Sequence, residues 1–160
     1  MHNNQPHVYN NMPWRIFLKS TILMLLCISC SSPNIEQFAN VRAIMDEHPD
    51  SALMIMEAYN LPPDASDSNR AMYGLLLTQA RYKNYIDETN DSLIRFSVEY
   101  FEENGEPYDA AMSLFLLGKI QSNSELFGEA AVSYKKGLEI AQRHKEYFVE
   151  GLCARGIYIL

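Results

Sequence analysis

The sequence predicts an all-α protein in which antiparallel helix pairs stack as an α-solenoid. Apolar residues recur at helical spacing, polar or proline-containing stretches separate these segments, and one spacing repeats along the chain. In the clearest pair of helices, Leu114, Leu117 and Gly118 share one stripe of the first helix. Ala130 and Tyr134 share one stripe of the second. Two such stripes facing each other would bury both.

Small residues recur at a constant spacing in this pattern. Ala80, Gly118 and Gly156 follow one another at a step of 38 in residue number (118 − 80 = 156 − 118), and Phe96 and Tyr134 differ by the same step. A small residue lets two helix backbones approach closely, so each is expected at a packing point between helices. A plain helical bundle with coincidental spacing is the alternative, because a helix count alone does not exclude it.

Local start and stop signals divide the chain after Cys30 into about seven helices. Pro49 ends the first helix, because the residue before a proline avoids the α region. Asp50 and Asp91 are suitable N-caps, and Gly105 is a helix stop. The expected helices span residues 35–47, 51–59, 69–84, 91–103, 111–121, 127–141 and 148–160.

The clearest pair resembles the tetratricopeptide repeat (TPR), whose signature is W-x2-L-G-x2-Y, then A-x3-F, then P. The residues that carry the resemblance are Leu114, Leu117, Gly118, Gln121, Ala130 and Tyr134. Leu114 stands in the Trp position, Gln121 replaces the Tyr, and the proline has no counterpart. The resemblance implies a TPR-like solenoid that binds proteins, with a repeat longer than the family's 34 or so residues.

The N-terminal segment has the anatomy of a secretory signal. Residues 1–29 contain a basic stretch and a short apolar run, and Met12 is an alternative start. The run is too short to cross a membrane, which takes about 20 apolar residues. The Ser29-Cys30 junction resembles a bacterial lipobox, which implies lipidation of Cys30 and a tether over residues 30–35. A plain cleaved signal and an uncleaved anchor are the alternatives.

Cys27 and Cys30 also form a C-x-x-C pair. A redox site needs a strand-to-helix context, and a zinc site needs further ligands at suitable spacing; the sequence offers neither. Cys153 is expected as a small buried side chain on a helix. We therefore predict no metal and no cofactor.

The net charge of the chain after Cys30 limits the classes of partner that it is expected to bind. After Cys30 the chain has 11 basic and 20 acidic residues, a net charge of −9. Nucleic-acid binding needs a basic face, so no nucleic-acid partner is expected. The expected contacts are a membrane, through the lipid, and a protein or peptide partner.

The first helices of stacked pairs line a concave surface. At the step of 38, Lys119 aligns with Arg81 and Phe115 with Leu77, which predicts cations beside apolar contact area and an acidic peptide partner. The alternative is that Phe115 and Leu77 belong to the core. The full expected groove is Leu77, Arg81, Asn84, Met112, Phe115, Lys119 and Ser122.

Residues 36–160 also resemble the N-terminal helical-repeat regions of lipoproteins from Bacteroides-type bacteria. The motifs are Pro49-Asp-Ser-Ala-Leu53, and Tyr82-Lys-Asn84 followed by Asp91-Ser-Leu-Ile94. The resemblance implies a cell-envelope protein, and the lack of an acidic run after Cys30 favours a periplasm-facing location. The last helix ends without a polar cap, so we expect the N-terminal portion of a longer protein or contact with another chain. A sensory or regulatory domain of a larger signalling protein is the alternative function.

An enzyme is not expected. The sequence contains no phosphate-binding, dinucleotide-binding, nucleophile-elbow or zinc-protease motif. Its paired carboxylates, such as Glu102-Glu103, fall at helix ends, where solvated surface charge is the simpler interpretation. We therefore predict a non-enzymatic interaction module.

Overall fold

A computed structural model describes residues 33–160 of the chain. The expected signal segment, the lipidation site Cys30 and the first half of the expected tether (residues 30–32) lie outside the described residues. No helix within residues 33–160 has the length and apolarity needed to cross a membrane.

Seven α-helices, and no strands, make up the regular structure of the described residues, which confirms the all-α prediction. The second starts at Pro49 and the fifth at Pro107, where a missing N–H costs nothing. Ser66 caps the third by accepting a hydrogen bond from the Asn69 amide. The helices are α1 (Pro33–Ile44), α2 (Pro49–Ala58), α3 (Asp67–Lys83), α4 (Ser92–Asn104), α5 (Pro107–Asn123), α6 (Phe127–His144) and α7 (Tyr147–Tyr158).

Consecutive helices pack against each other, as in an α-solenoid. The odd-numbered helices also pack against each other in turn: α1 with α3, α3 with α5, and α5 with α7. Helices α4 and α6 do not pack together, although an ion pair between Glu102 and Lys136, with a separation of 3.6 Å, bridges them. Helix α5 therefore has neighbours on most sides, and 12 of its 17 residues are buried.

From α3 onward, the first helices of successive pairs recur at a step of 40 in residue number, whereas the second helices α2, α4 and α6 begin at residues 49, 92 and 127. Helices α3, α5 and α7 begin at residues 67, 107 and 147. The Asn84 amide donates hydrogen bonds to the carbonyls of Ala80 and Pro49. The Ser124 hydroxyl oxygen lies 3.0 Å from the Ile120 carbonyl and 3.1 Å from the Thr89 carbonyl, so the same set of contacts recurs with every number raised by 40. The structural repeat is therefore slightly longer than the step of 38 that the sequence suggested.

The core has two parts. Residues from α1, α2 and α3, including Phe38, Met56 and Ala80, form an N-terminal cluster. A larger cluster runs from α3 to α7, and Tyr134 is its largest fully buried side chain. At the far end, helix α7 leaves apolar side chains exposed, among them Phe148 and Ile157.

Tyr134 explains the glycines at residues 118 and 156. A Cβ on Gly118 would lie 2.6 Å from the Tyr134 Cδ1 atom, and one on Gly156 would lie 2.8 Å from Cε1. The two glycines thus face the same ring from α5 and α7, and Ala80 packs in the N-terminal cluster instead. The three small residues are therefore not equivalent positions of one repeat, although all three lie where helices pack.

Stability is expected to fall above about pH 9, since burial raises two pKa values. Burial raises the pKa of the Cys153 thiol, and that of Tyr134, to about 12. Raised pKa values mean that folding favours the neutral forms, so this stabilisation is complete below the unfolded-state values and is lost as pH rises towards 12. Urea unfolding at increasing pH measures the loss. The variant Tyr134→Phe with Cys153→Ala should show a flatter profile; an unchanged profile would contradict the assignment.

Candidate functional site

The three apolar members of the expected groove are not at the surface. Leu77, Met112 and Phe115 are 4%, 1% and 4% exposed. The Tyr82 ring packs edge-on against Phe115, with centroids 5.2 Å apart. The expectation that these three side chains supply exposed contact area is wrong, because neighbouring helices close over them.

Arg81 and Asn84 stabilise the fold instead of facing a groove. The Arg81 guanidinium lies 2.7 Å from the Glu88 carboxylate and 3.8 Å from that of Glu57. The Asn84 side chain ties the end of α3 to the Pro49 carbonyl. Ser122 is half-buried and lines none of the cavities described below.

At the step of 40 between α3 and α5, Arg81 and Lys119 are not equivalent positions. Two extra positions turn an α-helix by about 200°, which moves a side chain to the opposite face. At a step of 40, Gln79 corresponds to Lys119, and Gln121 corresponds to Arg81. Both glutamines are buried, and Gln121 accepts a hydrogen bond from the Ser133 hydroxyl.

Lys119 does line an open cleft, but with residues that the sequence pattern did not identify. The cleft has a volume of about 440 Å³ and lies between the end of α3, helix α5 and helix α7. A smaller cavity of about 80 Å³ shares lining residues with it and reaches Phe115 and Tyr134. The cleft is lined by Tyr82, Lys83, Tyr85, Ile86, Asp87, Lys119, Phe148, Leu152 and Arg155. We call it the basic cleft.

The basic cleft combines positive charge with exposed aromatic rings. It contains three cations, Lys83, Lys119 and Arg155, against one carboxylate, Asp87. Tyr85 is 94% exposed and Phe148 53% exposed. These rings offer apolar area beside the cations, a combination that suits a partner bearing carboxylates and apolar side chains.

The cations of the cleft differ in how far they are already paired. The Lys83 ammonium lies 2.6 Å from the Asp46 carboxylate and 5.7 Å from the centre of the Phe148 ring. The Lys119 ammonium donates to the Asn123 side chain and lies 3.8 Å from Asp87. Arg155 makes no ion pair within residues 33–160. Lys119 and Arg155 are therefore the cations most available to a ligand.

A second groove lies between α4 and α6, the two helices that do not pack together. It has a volume of about 390 Å³, and Leu114 and Leu117 of α5 are among its lining residues. Arg95 and Lys136 in its walls are accompanied by three glutamates, at residues 99, 102 and 129. Because both signs of charge are mixed there, this groove offers no preference for an acidic partner.

The described part of the chain contains no cluster of three or more His, Cys, Asp or Glu side chains that could hold a metal ion. Its one cysteine, Cys153, is fully buried. Burial also raises the pKa of that thiol, which makes it a poor nucleophile.

The lining of the basic cleft was missed because its members do not follow a single repeat spacing. Lys119 and Arg155 belong to successive first helices, yet they match neither a step of 38 nor a step of 40. Tyr85 and Ile86 come from the loop after α3. The charge on α5 and α7 was visible in the sequence, but only the packing of three helices places it in one cleft.

Comparison with protein families, with curated proteins and with solved structures gave no match.

Proposed function

We propose that the chain is a non-enzymatic, TPR-like protein–protein interaction module that binds an acidic segment of a partner in the basic cleft. The observation that carries the proposal is a cleft in which Lys119 and Arg155 are available cations and Lys83 is paired with Asp46, in a chain whose net charge after Cys30 is −9. Such a local reversal of charge would attract a partner that the rest of the surface repels, and it would select against basic partners.

The exposed aromatic rings of the basic cleft imply that the partner also has apolar side chains. Phe148 and Tyr85 can bury apolar side chains of the partner next to the cations. The partner is therefore an extended peptide in which acidic and apolar residues lie close together. A purely acidic chain would gain the charge contacts but not the apolar contacts.

Reversing the charge of Lys119 and Arg155 to Glu is expected to weaken binding of a labelled acidic–apolar peptide by about tenfold or more. Fluorescence polarisation at several salt concentrations measures the affinity, and the parent protein should lose affinity as salt rises. Arg81 is left unchanged in this test, because its ion pairs with Glu57 and Glu88 support the fold.

A matched control is Lys135→Glu with Arg143→Glu, which makes the same change in net charge at two exposed positions of α6, outside the lining of the basic cleft. This control should keep parental affinity. If both double variants bind the peptide like the parent, while melting at similar temperatures, the basic cleft is not the partner site.

We further propose that a lipid on Cys30 anchors the module to a bacterial membrane, facing the periplasm. The proposal is based on the basic stretch, the short apolar run and the Ser29-Cys30 junction of residues 1–30. A tethered module can meet partners in the envelope without a spanning helix of its own.

Replacing Cys30 with Ala should release the protein from membranes, because acyl chains contribute about 0.8 kcal/mol per buried CH2. Cell fractionation and metabolic labelling with a fatty-acid analogue measure the two effects. Cys27→Ala is the matched control and should remain both labelled and membrane-bound. A Cys30→Ala protein that stays in the membrane fraction would show that the leader acts as an uncleaved anchor.

A further inference from the structure

A pocket separate from the basic cleft lies between α1 and the first turns of α3 and α5. Its volume is about 380 Å³, within the range of small-molecule sites, which runs from about 300 to 1,000 Å³. It is lined by Phe38, Ala39, Arg42, Ser68, Asn69, Met72 and Asp109. One cation and one anion therefore share a pocket whose other walls are apolar or neutral.

The anion, Asp109, is buried and has no well-aligned hydrogen-bond donor at one oxygen. Its side chain is 7% exposed, and its Oδ1 atom lies 2.8 Å from the Arg42 Nη1 atom. That contact brings the charges together, but its geometry gives Oδ1 no hydrogen bond. A buried carboxylate oxygen whose nearest donor is poorly aligned is unfavourable, so turning the carboxylate towards a better-aligned donor in the pocket would stabilise it.

The cation, Arg42, has only a weak acceptor at one of its nitrogens. Its Nη2 atom points at the Met72 sulfur, 3.0 Å away, and a thioether is a weak acceptor. The guanidinium lies 6.0 Å from the centre of the Tyr108 ring, and its side chain remains 40% exposed. It has N–H groups available for a better acceptor, and a carboxylate matches its planar fork.

We propose that this pocket binds a free α-amino acid with an apolar side chain. An α-amino acid has an ammonium and a carboxylate on one carbon, which supply a better-aligned donor for Asp109 and a better acceptor for Arg42 than the Met72 sulfur. The Phe38 ring and the Met72 thioether provide the apolar wall for its side chain. The proposal does not depend on the basic cleft or on the acidic partner.

The simpler interpretation of the same residues is an ion pair that only ties α1 to α5. The two interpretations differ in their consequences for ligands. A structural tie predicts no saturable binding of any small zwitterion. A ligand site predicts binding that needs both charged groups of the ligand.

Isothermal titration calorimetry of the full chain with L-leucine tests the proposal, with L-methionine and L-phenylalanine as further apolar amino acids. We expect saturable binding of at least one of them. Two analogues of leucine separate the charges: 4-methylpentanoate lacks the ammonium, and 3-methylbutylamine lacks the carboxylate. Each should bind about tenfold more weakly or worse. The proposal would be overturned if either analogue bound as tightly as leucine. It would also be overturned if none of the three amino acids bound at millimolar concentration.

Two variants test whether the amino acid binds in this pocket. Asp109→Asn should abolish it by removing the charge that faces the ammonium. Because that change also breaks an ion pair and can unfold the protein, Ala39→Phe serves as a second variant that fills the pocket from an exposed position on α1. Ala43→Phe, one turn further along α1 and not in the pocket lining, is its matched control. Leucine binding should be lost in Ala39→Phe and retained in Ala43→Phe; retention in both would refute this pocket as the site.

Discussion

Replacing Gly118 with Leu is expected to destabilise the protein by about 3 kcal/mol, the upper end of the usual range for overpacked cores. A Cβ at this position would lie 2.6 and 2.7 Å from the Cδ1 and Cε1 atoms of the Tyr134 ring. The ring has no free direction in which to move, since Gly156 packs against it from α7 at a similar distance. Helix α6 would have to shift away from α5. Thermal and urea unfolding measure the loss.

The chain offers a matched control at Gly151. This glycine is also inside a helix, α7, but a Cβ there would meet nothing within 4 Å. Gly151→Leu should therefore be neutral or stabilising, by up to about 1 kcal/mol, because Gly is the poorer helix former. A Gly118→Leu protein that unfolds at the parental temperature would mean that α5 and α6 do not pack in this register.

Replacing Tyr134 with Ala is expected to cost about 3–5 kcal/mol, the range for removing a large aromatic side chain from a core. Tyr134 is 1% exposed, and its ring packs beside Phe115, with centroids 5.9 Å apart. The two glycines that face it have no side chains with which to fill the space left behind. A cavity would therefore remain at the junction of α5, α6 and α7, and the melting temperature should fall by more than about 10 °C.

Two control substitutions test whether the loss of stability comes from removing the buried aromatic ring of Tyr134. Tyr134→Phe keeps the ring and should cost no more than about 1 kcal/mol. Tyr158→Ala removes a tyrosine that is 90% exposed, and it should leave stability nearly unchanged. Equal losses in Tyr134→Ala and Tyr158→Ala would contradict the position of Tyr134 at the centre of the core.

The number and order of the helices could be predicted from the sequence because the signals that start and stop a helix are local. Pro49 stands at the first position of α2, and α4 ends just before Gly105. The apolar stripes between such signals have a period near 3.6, which favours helix over strand. All seven predicted helices are present in residues 33–160, with ends that differ by a few residues.

The faces of the helices were harder to predict, because a small error in the repeat length turns a helix by a large angle. The step of 38 came from Gly118 and Gly156, which face one ring from two sides. The step of 40 between α3 and α5 is marked by the matching contacts of Asn84 and Ser124 with backbone carbonyls. One feature of the sequence does indicate that the α5 side chains are buried. Helix α5 is apolar on nearly all sides, a pattern typical of a buried helix.

An acidic chain of seven helices, with small residues at the points where helices meet, follows from residue order alone. Helix formation depends on neighbours within a few turns, so local sequence is sufficient for it. Which charges meet depends on the packing of the helices. It pairs Arg42 of α1 with Asp109 of α5, far apart in the sequence, and gathers Lys119 and Arg155 in one cleft. The way the helices stack sets these distances, and that stacking results from many side-chain contacts acting together.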